Sequence, residues 1–392
     1  MMYRKFSADY LFTGSSIIDN NHILITNGEG EIIKIINKSE AGDDIEKYNG
    51  MLCPGFINAH CHLELSHLKS LIPEHTGLIE FVFKVITERH FDKQEILDCI
   101  AREERNMLEC GVVAVGDICN NDLSLFQKQQ EMLAYYNFIE VSGWNPNTAS
   151  LRFEKMKSIY EEFTQKNQQA SLVPHAPYSV SKELWGKITP FFFRKVITIH
   201  NQETRDEDIF FLRGEGDLSS MYKKMNIDNS FYKHPGKRSI ETYLKNFSKA
   251  LSIILVHNTF TEQQDLDYIK ENKSPGQLIS FCLCPNANLY IENTLPHIDM
   301  FLKNKCNVII GTDSLASNHQ LNILEELKTI AKNFPAVAIE TLLTWATING
   351  AKALQMDGTL GSFEKGKKPG IVLIENVENK KITTVSSARR IL

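Results

Sequence analysis

The sequence has no long apolar run: nothing in its 392 residues reaches the roughly 18 consecutive apolar residues of a membrane-spanning helix. A basic surplus is also missing. The 43 Lys and Arg residues stand against 48 Asp and Glu, a formal net charge of -5, which argues against the basic face of a nucleic-acid binder. Cysteine is sparse, at eight residues. Cys282 and Cys284 form C-x-C, and no second pair completes a zinc knuckle or a disulfide framework. Reduced thiols in the cytoplasm are the simplest reading. The opening residues, Met1 to Tyr10, contain no apolar core followed by a cleavage site, so no secretory leader is expected. Repeats, low-complexity tracts and long linkers are absent as well. What is present is ordinary globular material, 42% hydrophobic, and the length suffices for one large α/β domain with an accessory unit.

The first fifty residues read as short strands, with a hairpin from Ile23–Thr26 to Ile32–Ile36 turning at Gly28 and Gly30. From Met51 the pattern changes. Eight short apolar runs are candidate strands: Leu52–Asn58, Gly111–Ile118, Tyr135–Ser142, Ser171–His175, Val196–His200, Ser252–His257, Leu278–Cys284 and Asn307–Asp313. The stretches Lys93–Leu108, Leu151–Gln165 and Gln263–Asn272 between them have helical periodicity. Continuous apolar strands alternating with amphipathic helices indicate a buried parallel sheet. Eight such repeats fit a (β/α)8 TIM barrel better than an open sheet. The tail returns to strands at Gly370–Ile374 and Ile382–Val385. The expected architecture is therefore α/β: a barrel over residues 51–357 beside a small β-sandwich formed by residues 1–50 and 358–392. Residues 201–250 exceed an ordinary βα loop and would roof the barrel mouth.

Polar residues collect where these runs end. The first run is followed by His60-Cys61-His62, the fourth closes on His175, the fifth on His200 with Glu203 three residues later, the sixth on His257, and the eighth on Asp313. In a parallel barrel all these ends open on one face. Residues two apart in an extended strand point the same way, so both imidazoles of H-x-H can reach one ion. Three histidines and a carboxylate suit a borderline metal such as zinc, with a position left for water. A single histidine closing a strand is more often structural, and H-x-H alone says little. Four histidine-bearing ends plus an aspartate on the eighth are hard to attribute to chance.

Pro54-Gly55-Phe56-Ile57-Asn58-Ala59-His60-Cys61-His62 resembles the signature of the amidohydrolase superfamily, in its cytosine deaminase and chlorohydrolase-like branch. Further motifs follow in the same order: Val173-Pro174-His175-Ala176-Pro177-Tyr178-Ser179, His200-Asn201-Gln202-Glu203, Leu255-Val256-His257-Asn258, Cys284-Pro285-Asn286-Ala287-Asn288, Gly311-Thr312-Asp313-Ser314 and Ala346–Leu354. Together they cover nearly the full chain. The resemblance implies that His60, His62, His200 and Asp313 hold one divalent metal, zinc or alternatively iron. It implies Glu203 as proton shuttle, His257 as the group that polarises the reacting centre, Asp313 as acceptor of the proton of the attacking water, and His175 facing the substrate. Binuclear members carry a bridging lysine near the fourth strand, and none follows His175 here, which favours a single ion. Two positions depart from the pattern. Pro369–Leu373 replaces the usual A-D-L-V-L, and Ala287 stands where serine is usual, leaving any substrate contact there in doubt.

Around this set the signals thin out. Glu64 could meet a substrate amine or hydroxyl, cap a helix or pair with Lys69. The run His62–Ser66 with Thr76–Val82 is similar to the aminodeoxyfutalosine deaminases. Glu88 and Arg89 read as a solvated helix end that could reach the mouth, Cys61 should pack into the core, and Lys233 to Arg238 could receive an anion or simply edge the roof. The expected protein is thus a metal-dependent aminohydrolase of an N-heterocyclic or nucleoside-like small molecule. It would act in the cytoplasm with no nucleic-acid or membrane partner, and a homo-oligomer is compatible with the sequence. Halide or cyclic-amide hydrolysis could use the same metal, whereas a non-enzymatic scaffold would have no need of the full ligand set.

Overall fold

The computed structural model describes residues 3–392; Met1 and Met2, the start of the segment read for a leader, lie outside the described residues. The fold is mixed α/β. Eight parallel strands form two four-stranded sheets. The first holds β1 (Phe56–Cys61), β2 (Val112–Cys119), β3 (Ala134–Val141) and β4 (Ala170–Pro174), paired in sequence order. The second holds β5 (Val196–Asn201), β6 (Ser252–His257), β7 (Leu278–Leu283) and β8 (Asn307–Ile310). The sheets meet through main-chain hydrogen bonds near the strand C-termini. Thr312 and Asp313 donate to the His60 carbonyl at 3.0 and 3.1 Å, and His200 donates to the His175 carbonyl at 2.9 Å. Asn58 clasps the β1–β8 side, its amide exchanging hydrogen bonds of 2.8 and 3.1 Å with Thr312.

The strands are buried almost end to end, because helices cover them. Ile57, Val115, Ile139, Leu172, Ile254 and Ile309 belong to one continuous core and have no exposed surface, each such side chain contributing about 1.5–3 kcal/mol by burial. The three helices expected from periodicity are found at Lys93–Glu109, Ala149–Gln165 and Gln263–Asn272. The first is capped by Asp92, whose side chain accepts the Gln94 amide at 2.8 Å. Among the described residues no helix is long and apolar enough to cross a membrane.

The chain ends build two further sheets. One comprises Tyr3–Ser7, His22–Asn27, Ile32–Asn37 and Ile45–Lys47, including the expected hairpin. The other comprises Tyr10–Phe12, Ile17–Asp19, Met51–Pro54, Ile371–Glu375 and Ser387–Arg390. Two expectations need correction. The run Leu52–Asn58 is two strands: Met51–Pro54 pairs with Ile371–Glu375, and only from Phe56 does the chain enter the parallel sheet. The break falls at Gly55, where a Cβ would lie 2.2 Å from Val113 Cγ1 and 2.7 Å from the Pro369 carbonyl; apolar content alone cannot reveal it. The last strand is Ser387–Arg390, whereas Ile382–Val385 lies in a turn stapled by Ser386, whose hydroxyl receives the Thr383 amide and donates to the Asn376 carbonyl.

Residues 201–250 carry helices at Arg205–Arg213, Asp217–Lys224 and Ser239–Tyr243. Their aromatic side chains are chiefly packing groups. Phe210 stacks on Tyr232 at 4.5 Å, and Trp144 stacks on Tyr222 at 5.3 Å. Arg238, read as part of a basic patch, is neutralised within the fold by Asp208, Glu262 and Asp265 at 2.6–3.0 Å.

Candidate active site

The C-terminal ends of β1, β5, β6 and β8 bring four imidazoles and a carboxylate to one point. His60 ends 4.9 Å from His62, 5.0 Å from His200 and 5.8 Å from His257, ring centre to ring centre. Asp313 Oδ1 is 3.5 Å from His60 Nε2 and 3.3 Å from His62 Nε2. One donor atom from each of His60, His200, His257 and Asp313 falls within a 4.8 Å cluster. Gly311 makes room for this: a Cβ there would meet His60 Cβ at 2.8 Å and Cys282 Sγ at 2.9 Å. His257 and Asp313 take left-handed backbone angles, φ 71° and 57°, which turn the chain at the strand ends.

His257, His200 and Asp313 are aimed from behind. Asn288 accepts the His257 Nδ1–H at 2.9 Å while its own amide nitrogen faces the His257 carbonyl, so the Nε2 lone pair is presented to the cluster. His200 Nδ1 donates to the His175 carbonyl at 2.9 Å. Ser317 donates to Asp313 Oδ2 at 2.5 Å. Glu203 Oε1 lies 3.5 Å from His257 Nε2.

Both ring nitrogens of His60, Nδ1 of His62 and Nε2 of His257 are buried without a hydrogen-bond partner, an arrangement that disfavours an isolated polar group. Burial is the main cause that lowers the imidazoles: His62 is pushed down to about 3, and His60, His200 and His257 also fall below the ordinary value. They are neutral, the form that ligates a metal. Burial, with Asp313 nearby, raises the Glu203 carboxyl well above the usual range. The donor set fits a divalent metal ion.

The cluster floors a cavity of about 350 Å³. His62, His175, His200, Glu203, His257 and Asp313 line it, and its walls include Leu78, Phe81 and Val82 from the helix Leu78–Glu88, packed in one cluster with Trp144, Tyr178, Met221 and Tyr222. Arg89 and Arg152 lie at its edge. His175 faces this space with Nδ1 2.8 Å from the Ser179 hydroxyl. Glu64 does not join them. It is buried away from the cavity, accepting the backbone N–H groups of Asn120 and Asn121 at 3.0 and 3.3 Å. Burial, and secondarily the charge of Asp117, pushes its carboxyl up to about 8. Cys61 is in the core.

Sequence reasoning assigned no role to Asn288, Ser317 or Glu140. Asn288 stood inside a quoted motif, and Glu140 interrupts the apolar run of β3 with a carboxylate, now in the cavity wall and 3.7 Å from His200 Nδ1. That interruption was the available signal. Ser317 offered none, because a serine in a loop has no distinguishing pattern.

Buried imidazoles, the Asp313 carboxylate and the buried Glu203 carboxyl around one cavity are the donor and proton-transfer set of a metal-dependent hydrolase. The amidohydrolase family pattern matches residues 51–392. The chain belongs to the amidohydrolase family. It is 27% identical over 380 residues to the 5-methylthioadenosine/S-adenosylhomocysteine deaminase of Thermoanaerobacter pseudethanolicus, covering 92% of this chain and 81% of the relative. It is 26% identical to the aminodeoxyfutalosine deaminase of Nitratiruptor sp. over 343 residues, covering 83% and 79%. Among solved structures, the aminofutalosine deaminase of Helicobacter pylori in complex with methylthio-coformycin superimposes with a TM-score of 0.81. It covers 96% of this chain and 93% of that one at 20% identity.

Proposed function

We propose that the protein is an aminohydrolase that releases ammonia from an aminated purine nucleoside. The observation that carries this is the facing pair at the floor: a buried carboxylic acid, Glu203, 3.5 Å from the unprotonated Nε2 of His257, beside a donor set for one ion. The tight cluster joins His257, not His62, to His60, His200 and Asp313. Because His62 Nε2 lies 3.3 Å from Asp313 Oδ1 and His257 Nε2 faces Glu203, we assign His60, His62, His200 and Asp313 to the ion, zinc or iron. When bound, it supplies a water whose pKa falls to about 7, hence a nucleophile near neutrality. Asp313 would accept a proton from that water. Glu203, its carboxyl raised by burial, would give its proton to the ring nitrogen beside the carbon under attack, take up the hydroxyl proton of the adduct and deliver that proton to the departing amine, after which the proton held by Asp313 restores the acid. His257, through the Nε2 that Asn288 leaves free, would share the water-derived proton with Asp313 and in that protonated state stabilise the negative charge. His175 orients the substrate from the cavity wall.

The substrate class is supported by the relatives, which include deaminases of methylthioadenosine, adenosine, deoxyadenosine and aminodeoxyfutalosine, and by apolar walls suited to a flat heterocycle. For the architecture we propose a (β/α)8 barrel over residues 51–357, closed by the two parallel sheets. Residues 1–50 and 358–392 would form a β-sandwich that also takes in Met51–Pro54. The cytoplasm is the proposed compartment, in keeping with eight free cysteines. Ammonia release from adenosine, 5'-methylthioadenosine, S-adenosylhomocysteine, 5'-deoxyadenosine and aminodeoxyfutalosine tests the activity. Turnover of at least one is expected. Zinc-loaded protein that ignores all five yet cleaves N-acyl or halogenated heterocycles would overturn the deaminase reading and leave the metal site standing.

A further inference from the structure

The loops that follow β1 and β2 hold each other by exchanged carboxylates. Asp117, on β2, accepts the Leu63 backbone N–H through Oδ1 at 2.8 Å, and Leu63 directly follows His62. In return, Glu64 accepts the backbone N–H groups of Asn120 and Asn121, just beyond β2. Asp117 is anchored on its far side as well. Lys128 Nζ lies 2.5 Å from its Oδ2 and 3.2 Å from Cys119 Sγ. The Lys128 and Asp117 side chains have no exposed surface. Burial alone would lower Lys128, but the charge of Asp117 outweighs it and keeps the ammonium protonated. None of Glu64, Asp117 and Lys128 lines the cavity. A buried ion pair is often no more stabilising than apolar residues of the same size, so stability alone is a weak account of this one.

His62 is the ligand candidate most in need of outside support. β1 ends at Cys61, and the His62 backbone, φ -121° and ψ 76°, leads into a 3₁₀ segment, Leu63–Leu68. Main-chain hydrogen bonds from Thr312 and Asp313 on the β8 side tie down the His60 carbonyl, whereas the His62 carbonyl accepts the Leu65 amide of its own 3₁₀ turn at 3.0 Å. The first amide after His62 is the one that Asp117 holds. A second arm of the same clasp reaches another imidazole: Asn120 Nδ2 donates to Glu140 Oε1 at 2.9 Å, and Glu140 Oε2 lies 3.7 Å from His200 Nδ1.

We propose that Asp117, with Lys128 as its buried counter-charge, is a positioning residue for the metal site, its hydrogen bond to the Leu63 amide setting the angle at which His62 meets the ion. This rests on the ligand role proposed for His62. Partners behind a ligand typically change metal affinity about 10–100-fold.

The test is zinc affinity by competition with a chelator, together with the visible spectrum of the cobalt-substituted protein, which reports ligand geometry. Two double variants separate the hydrogen bond from the charge pair. Asp117→Leu with Lys128→Met strands no buried ion but removes the acceptor, and zinc affinity should fall about 10–100-fold with an altered cobalt spectrum. Asp117→Asn with Lys128→Met keeps an amide oxygen for Leu63 and should stay close to wild type in both. Equal affinity and spectra in the two doubles overturn the proposal. Asp117→Glu guards against misfolding: it retains the charge beside Lys128 but moves the acceptor by one methylene, so weaker zinc binding is expected. Wild-type affinity and spectrum in that variant would equally overturn it. A wild-type protein that binds no metal would be a different failure, of the ligand assignment itself, and would take the proposal with it.

Discussion

The floor of the cavity and its walls differ in what fixes them. Floor residues come from strand ends and their adjoining turns, with Asn288, Ser317 and the His175 carbonyl setting ring tautomers and carboxylate angles. The walls come from the helix Leu78–Glu88 and from residues 201–250, which pack apolar and aromatic side chains on each other. Where these two walls meet at the surface they are joined by an exposed ion pair, Lys224 to Glu80 at 2.7 Å, a contact that salt screens. Rigid geometry thus sits where a metal and a proton must be handled, and replaceable contacts sit where substrates are told apart. Chemistry and selectivity should be separable by mutation.

The largest expected effect is at the floor. His60→Ala or His200→Ala should reduce metal from about one ion per chain to near none, read by elemental analysis, and abolish turnover. Full metal retention after losing both would place the site elsewhere. Next is Glu203→Gln, which keeps the ion and the fold but cannot pass a proton, so kcat should drop about 10²–10⁴-fold. Near-normal turnover would remove Glu203 from the reaction. The comparison itself is sharpened by a wall variant. Phe81→Ala should raise KM for a nucleoside about tenfold by removing ring contact, with kcat and metal content little changed, as expected for a residue that binds ground and transition states alike. A fall in kcat matching that of Glu203→Gln would show that wall and floor are not independent.

The smallest effect lies just beneath the floor. Glu326 is buried and accepts hydrogen bonds from Asn286 and Asn318. Burial pushes its carboxyl from 4.5 up to about 8. The folded protein therefore holds this proton more tightly than the unfolded chain. Stability owed to it is present below pH 4.5 and is lost as pH rises towards 8. Denaturation midpoints of wild type should fall relative to Glu326→Gln between pH 5 and pH 8. A parallel pair of curves would mean that the carboxyl is ionised throughout.

Much of the floor was legible because strand ends advertise themselves. An apolar run that stops on histidine is readable, and His60, His200 and His257 were found that way. The helix Gln263–Asn272 was legible to the residue, since its apolar period and flanking polar residues agree. Gly55 was not, because the close approach of Val113 and Pro369 that splits the strand involves residues far along the chain. Glu64 shows the same limit in another form. Its neighbour His62 suggested a cavity contact, but whether a carboxylate in a loop faces a substrate or two backbone amides depends on where another loop lies. Leu78, Phe81, Val82 and Tyr178 of the walls stood within runs singled out by resemblance, whereas the wall residues of 201–250 were visible only as a long aromatic-bearing segment, and their partners, such as Trp144 for Tyr222, are set by tertiary packing.

The left-handed turns at His257 and Asp313 have a consequence for how this chain can change over time. Non-glycine residues held in that conformation cost on the order of 1–3 kcal/mol each, less for aspartate and histidine than for bulkier side chains. Glycine would adopt φ 71° or 57° without that cost. A descendant released from the need to catalyse would relax its backbone by the two substitutions that dismantle the site. Decay of function and relief of strain point in the same direction here, so the site would be lost quickly once it stopped being used.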